Sequence, residues 1–245
     1  MNLSDLKNIS ERYMELINPT SPEKILLAGR ILGLAPSQKV IDFGCGFGEV
    51  LRLWAEQFGI SGLGIDLRPY ACERARQKMA SHGLAERIEI ACGEAREYPF
   101  EAHSYDVAAC IGATFIWDGF VPSLRAMRQA IRPSGKLAVG EVFWLTDSVP
   151  PAYARMEHFD TELELLQAAR VEGFELEAIL RASPDDWDAY ITGDWRGMLR
   201  WIEENPQHAE VEQVVKALHE SQDEYMSYTR KYCGWAIFLL SPAVR

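Results

Sequence analysis

The chain has 245 residues, 48% of them hydrophobic and 25% charged, a balance that supports a buried core and excludes an intrinsically disordered polypeptide. With 36 acidic against 25 basic side chains the net charge is -11, which opposes the phosphate neutralisation that nucleic-acid binding requires and favours a small-molecule or protein substrate. No run of about 18 apolar residues offers a membrane span, and residues 1–10 show no basic patch followed by an apolar stretch, so a cytoplasmic protein without a membrane partner is expected.

The predicted elements begin with Leu6, Ile9, Tyr13, Leu16 and Ile17, whose one-face spacing predicts a helix broken at Asn18-Pro19. Thr20 with Glu23 then offers a capping box for a second helix over 25–32. The apolar pair Val40-Ile41 leads through a glycine loop into a helix carrying Leu51, Trp54, Ala55 and Phe58 at helical spacing. A strand over 62–66, a helix over 70–81 and strands over 87–92 and 105–111 follow. Leu124, Met127 and Ile131 mark a further helix, which Pro133-Ser134-Gly135 ends before a strand over 136–142. Strands alternating with helices imply a mostly parallel sheet with right-handed crossovers.

Beyond residue 142 the pattern loosens. Residues 147–156 read as a loop, Thr161 with Glu164 caps a helix, and 174–180 alternates like a less buried strand. Ser183-Pro184 opens an acidic, aromatic-rich helical stretch containing Val211, Val214, Val215 and Leu218, and 234–240 reads as a buried final strand. The five cysteines, Cys45, Cys72, Cys92, Cys110 and Cys233, form no CxxC pair and no cluster with histidine. Neither a disulfide framework nor a metal site is expected.

The chemistry concentrates in Asp42-Phe43-Gly44-Cys45-Gly46-Phe47-Gly48, where alternate glycines let backbone approach a ligand that side chains would exclude. A tight strand-to-helix turn alone can also require such a loop. Asp42, at the strand end, would repel a dinucleotide pyrophosphate and attract the ammonium of a bound amino acid, which argues against a nicotinamide oxidoreductase. Asp66 closes the next strand about 20 residues on, the separation suited to an acid that accepts from ribose hydroxyls, although an Asp before Arg68-Pro69 also suits a helix cap. Glu94 with the Ala95 amide could address an adenine edge, and Glu94 alone reads as a surface acid. The strand ending at Cys110-Ile111-Gly112 would turn its last carbonyls toward the same ligand.

In this order and spacing the segments resemble the class I S-adenosylmethionine (SAM) dependent methyltransferases, whose pattern is an acid and GxGxG, a ribose acid, an acid-Ala pair and a Tyr/Phe-Asp strand. Arg132-Pro133-Ser134-Gly135 resembles the turn before the family's next strand, and the likeness covers 40–142. Glu94 stands where Asp is usual, and Ser134 where Gly is usual. Outside this core, Trp187, Arg200-Trp201 and Asn205-Pro206 are similar to a segment of functionally uncharacterised bacterial methyltransferases.

The resemblance implies an α/β, Rossmann-like, seven-stranded and mostly parallel sheet whose last strand is antiparallel. One domain over 1–245 is expected, with cap helices over 1–35, a SAM-binding core over 36–145 and the remaining strands with a helical cap over 146–245. It implies methyl transfer from SAM to a small organic acceptor, with S-adenosylhomocysteine (SAH) as product, by a monomer or homodimer. A SAM-binding protein without transferase activity and a protein methyltransferase are the alternatives. The cofactor set is Asp42, Gly44, Cys45, Gly46, Gly48, Asp66, Leu67, Glu94, Ala95, Cys110 and Ile111. Glu141, Asp118 and His158 are acid-base candidates by their places after strand ends. Tyr13, Trp117, Trp144, Tyr190 and Trp195 are candidates for walling the acceptor. Each of these side chains also has an ordinary structural reading, as a solvated acid or a core aromatic.

Overall fold

The computed structural model describes residues 2–243; Met1, Val244 and Arg245, which fall within the expected 1–245 domain, lie outside the described residues. Seven strands, β1 (Lys39–Phe43), β2 (Ser61–Asp66), β3 (Ile88–Cys92), β4 (Tyr105–Ile111), β5 (Ile131–Trp144), β6 (Phe174–Arg181) and β7 (Cys233–Pro242), form one sheet in the order β3-β2-β1-β4-β5-β7-β6. The β1 to β5 pairings are parallel, and β7 runs antiparallel to both neighbours. This is the expected seven-stranded Rossmann-like arrangement. Because β1 lies between β2 and β4, the order reverses at its carboxyl end, the crevice where open α/β sheets bind ligands.

Both faces of the sheet are covered, which is why the strands read as continuous apolar runs. On one face, helices α2 (Pro22–Leu32), α3 (Glu49–Phe58) and α4 (Pro69–Ser81) bury Ile25, Trp54 and Met79 with Trp235 and Ile237 of β7. The opposite face packs α5 (Phe120–Ala130) and α7 (Glu162–Val171) through Leu124, Met127 and Leu165 against Ala236 and Phe238. Alternate residues of β7 thus serve opposite layers, as a period of two demands. Trp54 Nε1 also donates to the Ile25 carbonyl at 2.7 Å, pairing an otherwise buried polar group.

Several boundaries differ from the sequence reading, each for a local reason. The first helix, α1 (Leu3–Ser10), stops well before Tyr13. The Arg74 guanidinium takes the carbonyls of Arg12 (2.8 Å) and Met14 (2.5 Å), so residues 11–20 run as an irregular segment. Ser21, rather than Thr20, caps α2, its hydroxyl accepting from Lys24 N. Residues 132–135 belong to β5, where a bulge opposite 105–107 absorbs Pro133 and Gly135. A short helix, α6 (Pro151–Met156), stands where a loop was expected.

Thr161 and Ser183 both complete capping boxes, opening α7 and the 21-residue α8 (Pro184–Glu204). Helix α8 packs with α9 (Val211–Glu224) around Trp195, Met198, Val214, Leu218 and Tyr225. Helix α1 lies against α8 where Gly197 meets the Ser10 carbonyl; any side chain at 197 would collide with that backbone. Together α1, α8 and α9 make a cap beside the crevice. No described helix is long and apolar enough to cross a membrane.

Candidate active site

Parallel register brings the ends of β1, β2, β3 and β4 to one edge: Asp42 lies opposite Gly64 and Ala109, and Asp66 opposite Cys92. The glycine loop leaves β1 there and turns on left-handed backbone, with φ of 71° at Gly44, 53° at Gly46 and 72° at Gly48. The Gly44 and Cys45 amides donate to the Ile65 carbonyl, which ties the loop to β2. Asp66 adds a second tie: one carboxylate oxygen accepts from Gly46 N at 2.9 Å, the other from Arg68 N at 2.9 Å. Asp66 therefore fastens the loop and the turn that precedes α4; Arg68, rather than Asp66, is the N-cap of that helix, and each Asp66 oxygen keeps a lone pair for a ligand hydroxyl.

Asp42 is only 2% exposed, and no hydrogen bond to it is found among the described residues. Burial, reinforced by the nearby Asp66 charge, pushes its carboxyl up to about 7. A buried acid left without a partner is unfavourable when ionised; a cation delivered by a ligand would relieve it.

The remaining expected cofactor residues cluster at the same edge. Leu67 is exposed just past β2; Glu94 is exposed and Ala95 buried just past β3, where the Gly93 amide donates to the Asp66 carbonyl. Cys45 and Cys110 are buried and their thiols are pushed up by burial, which leaves them unreactive packing groups. The Ile111 carbonyl accepts from the Asn18 side-chain amide at 3.2 Å. Asn18 was legible only as a helix break, yet it lies against the crevice with a buried, unpaired Oδ1.

The irregular segment after α1 roofs this crevice. Ile17 sits so close to the loop that a Cβ on Gly46 would lie 2.5 Å from its Cδ1. The space left beside Asp42, Gly44 and Ile111 is about 20 Å³, room for roughly one water. The roof is tied to α4 through Glu11–Arg68 (2.7 Å), Glu15–Arg74 (3.1 Å) and Glu15–Lys78. Arg68 at the start of α4, with Arg74 and Lys78 on it, thus hold the roof.

A larger cavity of about 590 Å³ adjoins, sharing Glu15, Leu16 and Asn18 with the crevice and walled by Tyr13, Tyr190, Gly193, Arg196 and Arg200. Its volume suits a small organic molecule. Of the five expected acceptor-wall aromatics, Tyr13 and Tyr190 line it. Trp195 does not: its ring packs on Tyr225 in the cap core and its Nε1 donates to Ser221 Oγ at 2.9 Å. Trp117 packs edge-on against Phe43 at 5.1 Å, and Trp144 against Tyr153 and Phe159, so both serve the fold.

Among the acid-base candidates, Glu141 follows Gly140, which pairs with Ile111 at the crevice edge. Burial raises its carboxyl; its Oε1 accepts from Val142 N at 3.0 Å, and its Oε2 is buried without a partner. Asp118 is exposed and paired with Arg96 at 2.8 Å, and His158 is exposed beyond α6; neither lines the crevice or the cavity. No group of three or more His, Cys, Asp or Glu among the described residues could hold a metal ion.

Comparison with known proteins accords with this geometry. Residues 40–135 match a family model described as a methyltransferase domain. The uncharacterized protein YjhP of Escherichia coli K12 is 31% identical over 98% of this chain and 99% of its own. A SAM-dependent methyltransferase from Thiobacillus denitrificans, solved in complex with SAH, superposes with a TM-score of 0.91 at 33% identity, covering 99% of this chain and 100% of that one. A SAM-dependent methyltransferase from Geobacter sulfurreducens, also with SAH, gives 0.91 at 34% identity over 97% and 98%. Sheet order, glycine cradle and relatives covering nearly the whole length agree: the chain belongs to the SAM-dependent methyltransferases.

Proposed function

We propose that the crevice at the β1 and β4 ends binds SAM and that the adjoining cavity presents a small organic acceptor to it. The observation that carries this reading is a glycine loop beside a buried, partnerless Asp42, opening onto a 590 Å³ cavity across shared residues. The residues fit the cofactor: a backbone cradle without side chains, an acid awaiting a cation at Asp42, and Asp66, Leu67, Glu94 and Ala95 at the ends of β2 and β3 for the ribose and adenine. Ile111 brings the β4 carbonyl end to the crevice, with Cys110 buried behind it.

When bound, the cofactor supplies a methyl already activated by its sulfonium. The protein's part is to orient, to exclude water and to handle the acceptor's proton. Asp42 would hold the amine of the methionyl group as an ion pair. Of the three acid-base candidates Glu141 alone is buried with an unpaired oxygen, but like Asp118 and His158 it lines neither the crevice nor the cavity, so no side chain is assigned to take the acceptor's proton. Five free thiols support a reducing, cytoplasmic setting, and we read the chain as one methyltransferase domain.

The Asp42 carboxyl provides the test. Burial and the Asp66 charge push it up to about 7 in the free protein; against an amine it would stay ionised, so binding below that pH expels a proton. Affinity for SAH should therefore fall as pH falls, roughly ten-fold between pH 7.5 and pH 6. The same group, raised above its unfolded value, makes the free protein lose stability as pH rises from about 4 to 7. Titration calorimetry across this window should show the proton release, and Asp42→Asn should bind SAH more weakly and without that pH dependence. A pH-independent wild-type affinity would remove Asp42 from the amine site.

A further inference from the structure

Resting on the methyl-transfer reading, we propose that the acceptor carries an anionic group, a carboxylate or phosphate, held by Arg196 and Arg200 of α8. The cavity has a positive lining in a chain of net charge -11. Its residues include two cations, Arg196 and Arg200, and one carboxylate, Glu15. Glu15 is already engaged by Arg74 at 3.1 Å and by Lys78, so it does not neutralise the cavity.

Arg196 has no carboxylate partner among the described residues; Arg30, Arg76, Arg87, Arg128, Arg155 and Arg170 share that, and what distinguishes Arg196 is its place in the cavity wall. Arg200 pairs only with Glu203, at 3.0 Å, both side chains being more than 60% exposed at 66% and 62%. An exposed pair of this kind contributes little, about 0–1 kcal/mol, and yields readily to a better anion.

Helical spacing aligns the pair with the rest of the wall. Ala189, Gly193, Arg196 and Arg200 recur every three or four residues and share one face of α8. Tyr190 adds a phenol that burial keeps protonated, and Met14 and Leu16 supply an apolar opposite wall. The lining thus describes a molecule with an apolar or aromatic body and one anionic end. A guanidinium grips carboxylate and phosphate through paired N–H donors, with orientation as well as attraction. That end is anchored away from the crevice, leaving the other end for the methyl.

The test uses SAH-saturated protein, with hexanoate, 3-phenylpropionate and hexyl phosphate set against hexanamide and 3-phenylpropanamide in ligand-observed NMR and calorimetry. The anions should bind at least about ten-fold more tightly than the amides, the worth of one charge-assisted contact. Arg196→Gln should erase most of that preference while SAH affinity stays at the wild-type value, and Arg200→Gln should reduce it less. The stronger of the carboxylate and phosphate arms identifies the anion. Equal binding of amides and anions, no binding of any anion, or an Arg196→Gln variant that keeps the preference would overturn the proposal. Failure of the wild-type protein to bind SAH in the first titration would overturn the methyl-transfer reading itself, a distinct result.

Discussion

Gly46→Val is expected to leave the protein folded and to weaken SAH binding by roughly 100-fold or more. Gly46 sits at φ 53°, where a β-branched residue is strained, and a Cβ there projects toward Ile17, into the space between loop and roof. The obstructing methyls would occupy the volume the ligand needs. Ile17 belongs to an irregular segment and can yield, so the cost falls on binding more than on folding. Gly44 offers the contrast. A Cβ there would strike Ala113, at the end of a buried turn, so Gly44→Val should lower the melting temperature as well as the affinity. Calorimetry for SAH beside circular dichroism melts separates the two. Wild-type affinity in a folded Gly46→Val protein would show that the ligand does not approach this loop.

Asp66→Ala should weaken SAH binding by about ten- to a hundred-fold and also lower stability, because two backbone N–H groups, those of Gly46 and Arg68, lose their acceptor. Each unpaired buried donor costs about 1–3 kcal/mol. Losing the acceptor for ribose hydroxyls adds to the binding loss, and losing the Gly46 tie loosens the cradle. Asp66→Asn, which keeps one carbonyl oxygen, should fall between wild type and alanine on both measures. Melting curves with and without SAH provide the check. A variant that loses stability yet, once folded, binds SAH normally would confine Asp66 to tying the Gly46 and Arg68 amides.

The part of this architecture written in local residue patterns was legible before the structure. Sheet alternation, the glycine loop and the acids at strand ends each follow from neighbours in sequence, and the antiparallel last strand followed from the family likeness; the comparisons and topology agree with them. What escaped depends on contacts between distant segments. Tyr13, Leu16 and Ile17 have helical spacing, but Arg74, some 60 residues away, captures the carbonyls that a helix would have used. Trp195 looked like a pocket wall because an aromatic on an amphipathic helix gives no sign of which partner it faces; α9 claimed it. Arg196 and Asn18 stood out in no motif, and only the fold brings one to the cavity and the other to the Ile111 carbonyl.

Transfer of a methyl group from SAM to a small organic molecule held between residues 13–20 and α8 can be observed directly. The most direct measurement is incubation of the protein with methyl-labelled SAM and a fractionated metabolite extract, followed by mass spectrometry, with Gly46→Val as the blank. Label is expected in a small organic acid or phosphate ester, matched by accumulation of SAH and absent from the blank. SAM binding with no labelled small molecule in any fraction, or label confined to polypeptide, would contradict it.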